Sequence, residues 1–146
     1  MTDINKLNKL NRLDALDLNH MRDVVDELNT HVGWREKSDQ IRYILAHNAP
    51  ELVPVFENYL IGTMIALIHS ELSEALEAQR KNLMDDHLPN RKGIEAELAD
   101  AIIRIFDLSA QEGLDIGGAV VEKFLYNMNR ADHKKENREK AGGKQF

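Results

Sequence analysis

Residues 66–80, ALIHSELSEALEAQR, and residues 94–108, IEAELADAIIRIFDL, decide the fold. In both stretches apolar residues recur every three or four positions, which is the period of an amphipathic helix. Most of the remaining chain shows the same period, and only 3 prolines and 8 glycines interrupt its 146 residues. We therefore predict an all-α fold, a bundle of four to five helices in a single domain that spans residues 1–146.

Short sequence signals divide the chain into five predicted helices. Gly33 and Gly113 follow periodic apolar segments and suit the left-handed conformation that ends a helix. Ser38 and Asp115 suit N-cap positions, and the prolines of APELVP separate the second helix from the third. The predicted helices cover about residues 4–31, 38–47, 55–82, 94–111 and 115–134.

The two ends of the chain are predicted to differ from the bundle. Leucine recurs every third residue at positions 7, 10, 13 and 16, and a strict three-residue repeat drifts around a helix. Residues 1–30 are therefore a candidate oligomerisation arm, although the polar stripe beside the leucines is more simply a solvated face. Residues 135–146, KENREKAGGKQF, are charged and contain glycine, so a mobile tail is predicted.

Composition narrows the class of protein. The chain has no cysteine, which excludes disulfides and thiolate sites and suits a reducing cytoplasm. The N-terminus lacks the apolar core of a signal peptide, and no stretch approaches the roughly 20 apolar residues of a membrane span. The formal net charge of -6 argues against a general affinity for nucleic acid, which requires clustered Lys and Arg. We expect a cytoplasmic protein that binds neither nucleic acid nor membrane, and its acidic clusters favour a divalent cation.

Each of the two deciding stretches contains a pair of carboxylates three residues apart. Glu71 and Glu74 lie in the first stretch, Glu97 and Asp100 in the second. Residues three apart stand on one face of a helix, about 5–6 Å from each other, so each pair can share one cation. On a helical wheel Glu71 falls among apolar positions, whereas Glu74 lies nearer the polar edge. A solvated helix face is the alternative interpretation, because a single pair with this spacing has little specificity.

In the second stretch, residues 94–108, several charged residues fall on a narrower part of the helix surface than in the first. One narrow stripe contains Glu97, Asp100, Arg104 and Asp107, and apolar residues fill nearly all the rest. If the two helices pack antiparallel, their acidic stripes can face each other in a cleft, where four carboxylates cannot all stay ionised unless cations neutralise them. Oxygen donors without His or Cys favour Mg²⁺ first and Mn²⁺ second. A di-iron site is disfavoured because it normally needs Glu-x-x-His pairs.

Three segments carry a resemblance to a known family: ALIHSELSEALEAQRK, EAELADAIIRIFDLSAQEGLDI and EKFLYNMNR. They resemble the all-α nucleoside triphosphate pyrophosphohydrolases of the MazG-like group, whose signature is ExxE, a spacer and ExxD. Here Glu71-x-x-Glu74 is followed by 22 residues and then by Glu97-x-x-Asp100. The similarity includes the Gly-Trp element of HVGWRE and covers roughly residue 29 to the C-terminus.

The resemblance implies a Mg²⁺-dependent hydrolase that cleaves a (deoxy)nucleoside triphosphate between its α and β phosphates, giving the monophosphate and pyrophosphate. The implied metal ligands are Glu71, Glu74, Glu97 and Asp100. One carboxylate could act as general base instead, and we prefer Glu74 for that role because water can enter at the polar edge. The resemblance also implies a homodimer or homotetramer in which the active site is completed.

Residues outside the acidic pairs are candidates for binding the substrate. Lys123, Asn127 and Arg130 share one face of the last predicted helix and match the family's Lys, Asn, Arg series, which implies phosphate contacts. An exposed basic face is the alternative. Trp34 is the only tryptophan and is a candidate for stacking on the base, with a core or subunit-contact role equally open.

Two other classes of function remain open at this stage. Residues 35–58 form a longer segment than in compact relatives, so the base preference of the family does not carry over to this chain. A helical protein-interaction module would use the leucine-rich first helix and leave the carboxylates as surface charge. A nucleotide sensor would keep the site but would not turn over its ligand.

Overall fold

The computed structural model describes residues 12–130 together with Lys134, Asn137 and Glu139. Within this part of the chain the fold is all-helical with five α-helices and no strand, which confirms the predicted all-α class. The elements are α1 (Arg12–His31), α2 (Glu36–Asn48), a 3-10 turn (Pro50–Leu52), α3 (Val53–Lys81), α4 (Gly93–Gln111) and α5 (Ile116–Asn129).

Three of the predicted helix signals act as expected. Gly33, after α1, has φ 79°, and Gly113, after α4, has φ 62°. Glycine adopts this left-handed conformation without the steric penalty that a Cβ imposes, which is why both helices end there. The Asp115 side chain accepts a hydrogen bond from the Gly118 amide and caps the start of α5.

Other predicted boundaries were wrong. Ser38 does not cap α2: the helix begins two residues earlier, and the Ser38 hydroxyl donates to the Arg35 carbonyl instead. Helix α3 begins at Val53 with Pro54 in its first turn, where the missing N–H of proline costs no hydrogen bond. Helix α5 ends at Asn129 because Arg130 has extended backbone angles.

Parts of both predicted ends fall beyond what the structure describes. Of the candidate arm, residues 1–11 lie outside the described residues, and α1 begins at Arg12. Of the predicted tail, only Asn137 and Glu139 are described. Neither the arm nor the mobile tail is tested by the structure.

The described residues fall into two compact units. One takes the chain up to Met21 and from Asp115 onward, and the other runs from Arg22 to Leu114. In the first unit, Asn19 of α1 binds the start of α5: its carboxamide oxygen accepts from the Gly117 amide at 2.9 Å, and its nitrogen donates to Asp115 at 2.7 Å. A side chain joins the two helices here at the point where backbone amides of α5 lack helical partners.

The second unit is built on the pairing of α3 with α4. Ala78 near the end of α3 lies against Gly93 at the start of α4, and Glu71, two turns earlier in α3, contacts Arg104, three turns later in α4. These contacts run in opposite directions along the two helices, so the helices are antiparallel. This is the arrangement in which, by the sequence analysis, their acidic stripes can face each other. The buried residues of this pair are mostly small or aromatic: Ala75, Ala78, Ala101 and Phe106.

Large apolar side chains remain exposed on both helices of this pair. They include Ile65, Leu67, Leu72, Leu76, Leu98, Ile102 and Ile103. The segment Pro50–Lys81 contains an 18-residue window that is long and apolar enough to cross a membrane, and none of that window is buried. The prediction that no stretch approaches a membrane span was therefore wrong by length and composition, although core helices of soluble proteins meet the same criterion.

Candidate metal centre and adjoining cavity

Three of the predicted ligand residues come together where α3 and α4 face each other. One carboxylate oxygen from each of Glu71, Glu97 and Asp100 lies within 4.8 Å of the other two. Glu71 is buried, with 8% of its side chain exposed, Glu97 is half-buried and Asp100 is exposed. This group, called here the carboxylate cluster, therefore has a buried end on α3 and an open end on α4.

Glu74 occupies a different position from the carboxylate cluster. It lies one turn beyond Glu71 on α3, is exposed, and does not belong to the group of oxygens within 4.8 Å. Its charge nevertheless contributes to raising the pKa of Glu97, so the two carboxyl groups are close enough to repel each other. The resemblance implied four ligands, with Glu74 preferred if one of them acts as general base instead. The structure brings Glu71, Glu97 and Asp100 together and leaves Glu74 exposed.

The carboxylate cluster carries more negative charge than its surroundings balance. The pKa of Glu97 is raised, first because partial burial disfavours the charged carboxylate. The charge on Glu74, a hydrogen bond with Glu71, and the charges on Glu71 and Asp100 act in the same direction. A cation placed among these oxygens would offset the repulsion between the carboxylates.

Arg104 provides one positive charge beside the carboxylate cluster. Its Nε donates to Glu71 Oε1 at 2.6 Å. The sequence places Arg104 on the acidic stripe of α4, but only the register of α3 against α4 shows that Glu71 is its partner. Burial of Glu71 is thus compensated by a hydrogen-bonded charge.

A cavity of about 650 Å³ adjoins the open end of the carboxylate cluster, with Asp100 and Arg104 in its lining. Its apolar lining comes from α3 and α4 and consists of Leu60, Met64, Leu67 and Ile103. Trp34 also lines the cavity and is 80% exposed, which rules out the core role that the sequence left open. The cavity combines apolar walls, an exposed aromatic ring and charged groups, as binding sites for small molecules commonly do.

Arg35 fixes one wall of this cavity, a role that the sequence did not reveal. Its guanidinium pairs with Asp26 of α1 and with Asp107 of α4. The pKa of Arg35 is raised: burial lowers it, but hydrogen bonds and charge from Asp107 and Asp26 outweigh that effect. Gln111 donates to Asp107 at 3.1 Å and extends the network along α4.

Of the predicted phosphate-binding residues, Lys123 and Asn127 lie on α5 and Arg130 directly follows it, all in the other compact unit. The prediction that one helix face carries all three was therefore wrong for Arg130, whose backbone is extended. Lys123 Nζ is 5.0 Å from the centre of the Tyr126 ring, and the Arg130 guanidinium is 6.0 Å from the same ring. The Asn127 Oδ1 atom is buried without a hydrogen-bond partner within the described part of the chain. The structure thus places Lys123 and Arg130 near an exposed tyrosine that the sequence analysis did not single out.

Comparisons with protein-family models, with curated proteins and with solved structures returned no match to this chain. The similarity to the MazG-like group therefore stays an expectation drawn from sequence motifs. A function for the chain has to be inferred from its own residues.

Proposed function

We propose that the chain is a Mg²⁺-dependent pyrophosphohydrolase that converts a (deoxy)nucleoside triphosphate into the monophosphate and pyrophosphate. The observation that carries this proposal is the convergence of Glu71, Glu97 and Asp100 from two helices, with their oxygens within 4.8 Å of one another. A three-carboxylate group at the edge of a cavity is suited to holding a metal against an anionic substrate.

The donor set of the carboxylate cluster fits a hard divalent cation. It consists of carboxylate oxygens, which Mg²⁺ and Mn²⁺ prefer over softer ligands. The pKa of Glu97 is raised first by partial burial and then by the neighbouring negative charges, and a divalent cation would offset that repulsion. The exposed position of Asp100 leaves one side accessible to water and to phosphate oxygens, which Mg²⁺ commonly keeps as ligands.

We assign the protein groups as follows. Glu71, Glu97 and Asp100 would hold the metal, which supplies charge neutralisation at the phosphates and lowers the pKa of water. Glu74, exposed beside Glu97, would accept the proton of the attacking water on a carboxylate oxygen instead of serving as a fourth ligand. This division of roles follows from the solvent access of Glu74 and the closer grouping of the other three.

The cavity supports a nucleoside as the rest of the substrate. Its volume of about 650 Å³ lies within the range of small-molecule sites, and its apolar walls suit a base and sugar. We propose that Trp34 stacks on the base, since its ring lines the cavity and is largely exposed. The proposal that Lys123, Asn127 and Arg130 bind phosphates rests on the resemblance alone, because these residues belong to the other compact unit.

Self-association is part of the proposal. Exposed apolar side chains on α3 and α4 form the kind of surface that monomers rarely leave uncovered. A second copy of the chain in a closed homodimer or homotetramer would cover them. We place this oligomer in the cytoplasm and expect no direct contact with nucleic acid.

A pair of matched variants tests the assignment. Glu97→Gln removes a proposed ligand with little change in shape, whereas Glu95→Gln changes an exposed residue two positions away on α4 that pairs with Arg91. With Mg²⁺ and a panel of nucleoside triphosphates, we expect Glu97→Gln to lower pyrophosphate release by about 100-fold or more. Glu95→Gln should stay within about twofold of wild type.

Other results would point elsewhere. Equal activity in Glu97→Gln and wild type would show that the carboxylate cluster is not needed for hydrolysis. Nucleotide binding by the wild-type protein without any product would indicate a sensor, and neither binding nor product would indicate an interaction module.

A further inference from the structure

The guanidinium of Arg104 uses only one edge in its contact with the protein. Nε donates to Glu71 Oε1 at 2.6 Å, and no other hydrogen bond or ion pair is formed by Arg104 within the described residues. Its side chain is 42% exposed, and the residue lines the cavity together with Asp100. The terminal nitrogens Nη1 and Nη2 therefore have no partner among the described residues, at the border of the carboxylate cluster and the cavity.

The anchor of Arg104 is a buried carboxylate on a long helix. Glu71 has only 8% of its side chain exposed and lies within a 29-residue helix, so its carboxylate has little freedom to follow a mobile partner. A guanidinium held through Nε keeps a fixed plane, and its two terminal nitrogens then form a preorganised fork. Planar forks of this kind match phosphate oxygens, to which arginine often binds with two parallel hydrogen bonds.

A purely structural role for Arg104 does not explain why its contact with Glu71 uses one nitrogen and not two. Neutralising buried Glu71 would be served best by a contact that uses two guanidinium nitrogens on the two carboxylate oxygens. The single bond through Nε instead compensates Glu71 and leaves the stronger double-donor edge open. The neighbouring carboxylates Glu97 and Asp100 do not accept it either, within the described structure.

We propose that Arg104 is a phosphate-binding residue, with Glu71 holding its guanidinium so that Nη1 and Nη2 bind a phosphate group of a Mg²⁺-bound polyphosphate in the adjoining cavity. The proposal rests on the proposed function for the choice of ligand class. Arg104 and the metal would then contact the same polyphosphate from neighbouring positions, so both positive charges act on one anion.

This role makes two binding affinities move in opposite directions when the arginine is lost. Without Arg104, Glu71 loses its competing cation, so Mg²⁺ alone should bind as tightly as before or more tightly. The polyphosphate loses a charge-assisted contact, so its affinity should fall. A residue that only stabilised the fold would weaken both.

The test is calorimetric titration of the full chain, first with Mg²⁺ alone and then with imidodiphosphate in saturating Mg²⁺. Imidodiphosphate is a P–N–P analogue of pyrophosphate, so binding is measured without turnover. For Arg104→Met we expect imidodiphosphate affinity to fall about 10- to 100-fold, since hydrogen bonds to charged groups are of that strength. The control, Arg91→Met, removes an exposed arginine that also pairs with a glutamate of α4, and it should match wild type.

Clear results would overturn the proposal. The proposal is overturned if Arg104→Met binds imidodiphosphate within about twofold of wild type. It is also overturned if the wild-type protein shows no measurable binding. If circular dichroism shows that Arg104→Met does not fold, Arg104→Gln is titrated in the same way with the same two outcomes. Failure of the proposed function looks different: no turnover of any nucleotide, with imidodiphosphate binding that still depends on Arg104.

Discussion

Among single residues, Glu71 and Glu97 differ in whether a positively charged side chain contacts their carboxylate. Glu71 is the more deeply buried of the two, and its carboxylate accepts a hydrogen bond from Arg104. Glu97 is half-buried, has no positively charged partner within the described residues, and lies among three other carboxyl groups. Its raised pKa follows from partial burial and from these neighbours. The metal-free protein therefore carries an electrostatic cost that is concentrated at Glu97.

This cost predicts how the stability of the metal-free protein depends on pH. Because the folded pKa of Glu97 is raised, the folded state binds more protons than the unfolded state between the two pKa values. The Glu97 contribution to the free energy of unfolding is then fully present below the unfolded pKa and is lost as pH rises through the folded pKa. Glu97→Gln should abolish this loss and be more stable than wild type near neutral pH in EDTA.

Urea unfolding followed by circular dichroism at about pH 4 and about pH 8 measures the difference. Glu95→Gln serves as control, since Glu95 is exposed and paired with Arg91. An unchanged pH dependence in Glu97→Gln would show that Glu97 is not destabilised in the folded protein. Added Mg²⁺ should restore the stability of wild type at the higher pH, but should not do so for the variant to the same extent.

Among the helices, the packing of α1 against α5 depends on a glycine. A Cβ built on Gly117 would lie 2.1 Å from the Ala15 carbonyl oxygen, which is far inside van der Waals contact and involves backbone on both sides. Gly117 also donates its amide to Asn19. The close approach of these helices therefore requires that position 117 has no side chain.

Two glycine-to-alanine substitutions should have opposite effects on stability. Gly117→Ala should lower the free energy of unfolding by about 1–3 kcal/mol because α1 and α5 have to move apart. Gly62→Ala, in the middle of α3 with nothing within 4 Å of the added Cβ, should raise it by up to about 1 kcal/mol because alanine favours helix. Urea unfolding of both variants measures the two effects, and an equal response would contradict the described contact.

The helices themselves were largely predictable from local signals, and the exceptions have physical reasons. Gly33, Gly113 and Asp115 act through their own backbone or side chain, so the sequence suffices to predict them. Ser38 was wrong as a cap because α2 starts upstream of it. The end of α5 was predicted too late, since charged residues beyond Asn129 are compatible with a helix and only the structure shows the change at Arg130.

At the scale of the whole molecule, many large apolar side chains stay exposed after the described helices have packed. Leu72, Leu76 and Ile102 are exposed on the paired helices α3 and α4, and none of the 18-residue apolar window within Pro50–Lys81 is buried. Apolar area of this kind is stabilised when another surface covers it. The proposed homo-oligomer accounts for it, and the composition of α3 then reflects an interface.

Sedimentation equilibrium at micromolar concentration should therefore give a dimer or a tetramer. Leu76→Glu places a charge on the exposed apolar surface and should weaken association by about tenfold or more. Gln79→Glu adds the same charge at an exposed polar position of α3 and should leave association unchanged. A wild-type monomer at these concentrations would contradict the proposed oligomer.

The candidate site was predictable only in part. Spacing alone placed Glu71 beside Glu74 and Glu97 beside Asp100, because residues three apart share a helix face. Which of them meet depends on the register of α3 against α4, and that register selects Glu71, Glu97 and Asp100. The contacts of Arg104 with Glu71 and of Arg35 with Asp107 join residues far apart in sequence, so no local pattern could reveal them.

The most direct measurement of the central claim is a ³¹P NMR time course of the wild-type protein with a nucleoside triphosphate and Mg²⁺. Cleavage between the α and β phosphates predicts that nucleoside monophosphate and pyrophosphate resonances grow together, that EDTA stops them, and that restored Mg²⁺ starts them again. Growth of nucleoside diphosphate and inorganic phosphate instead, or an unchanged spectrum with every nucleotide, would contradict the account.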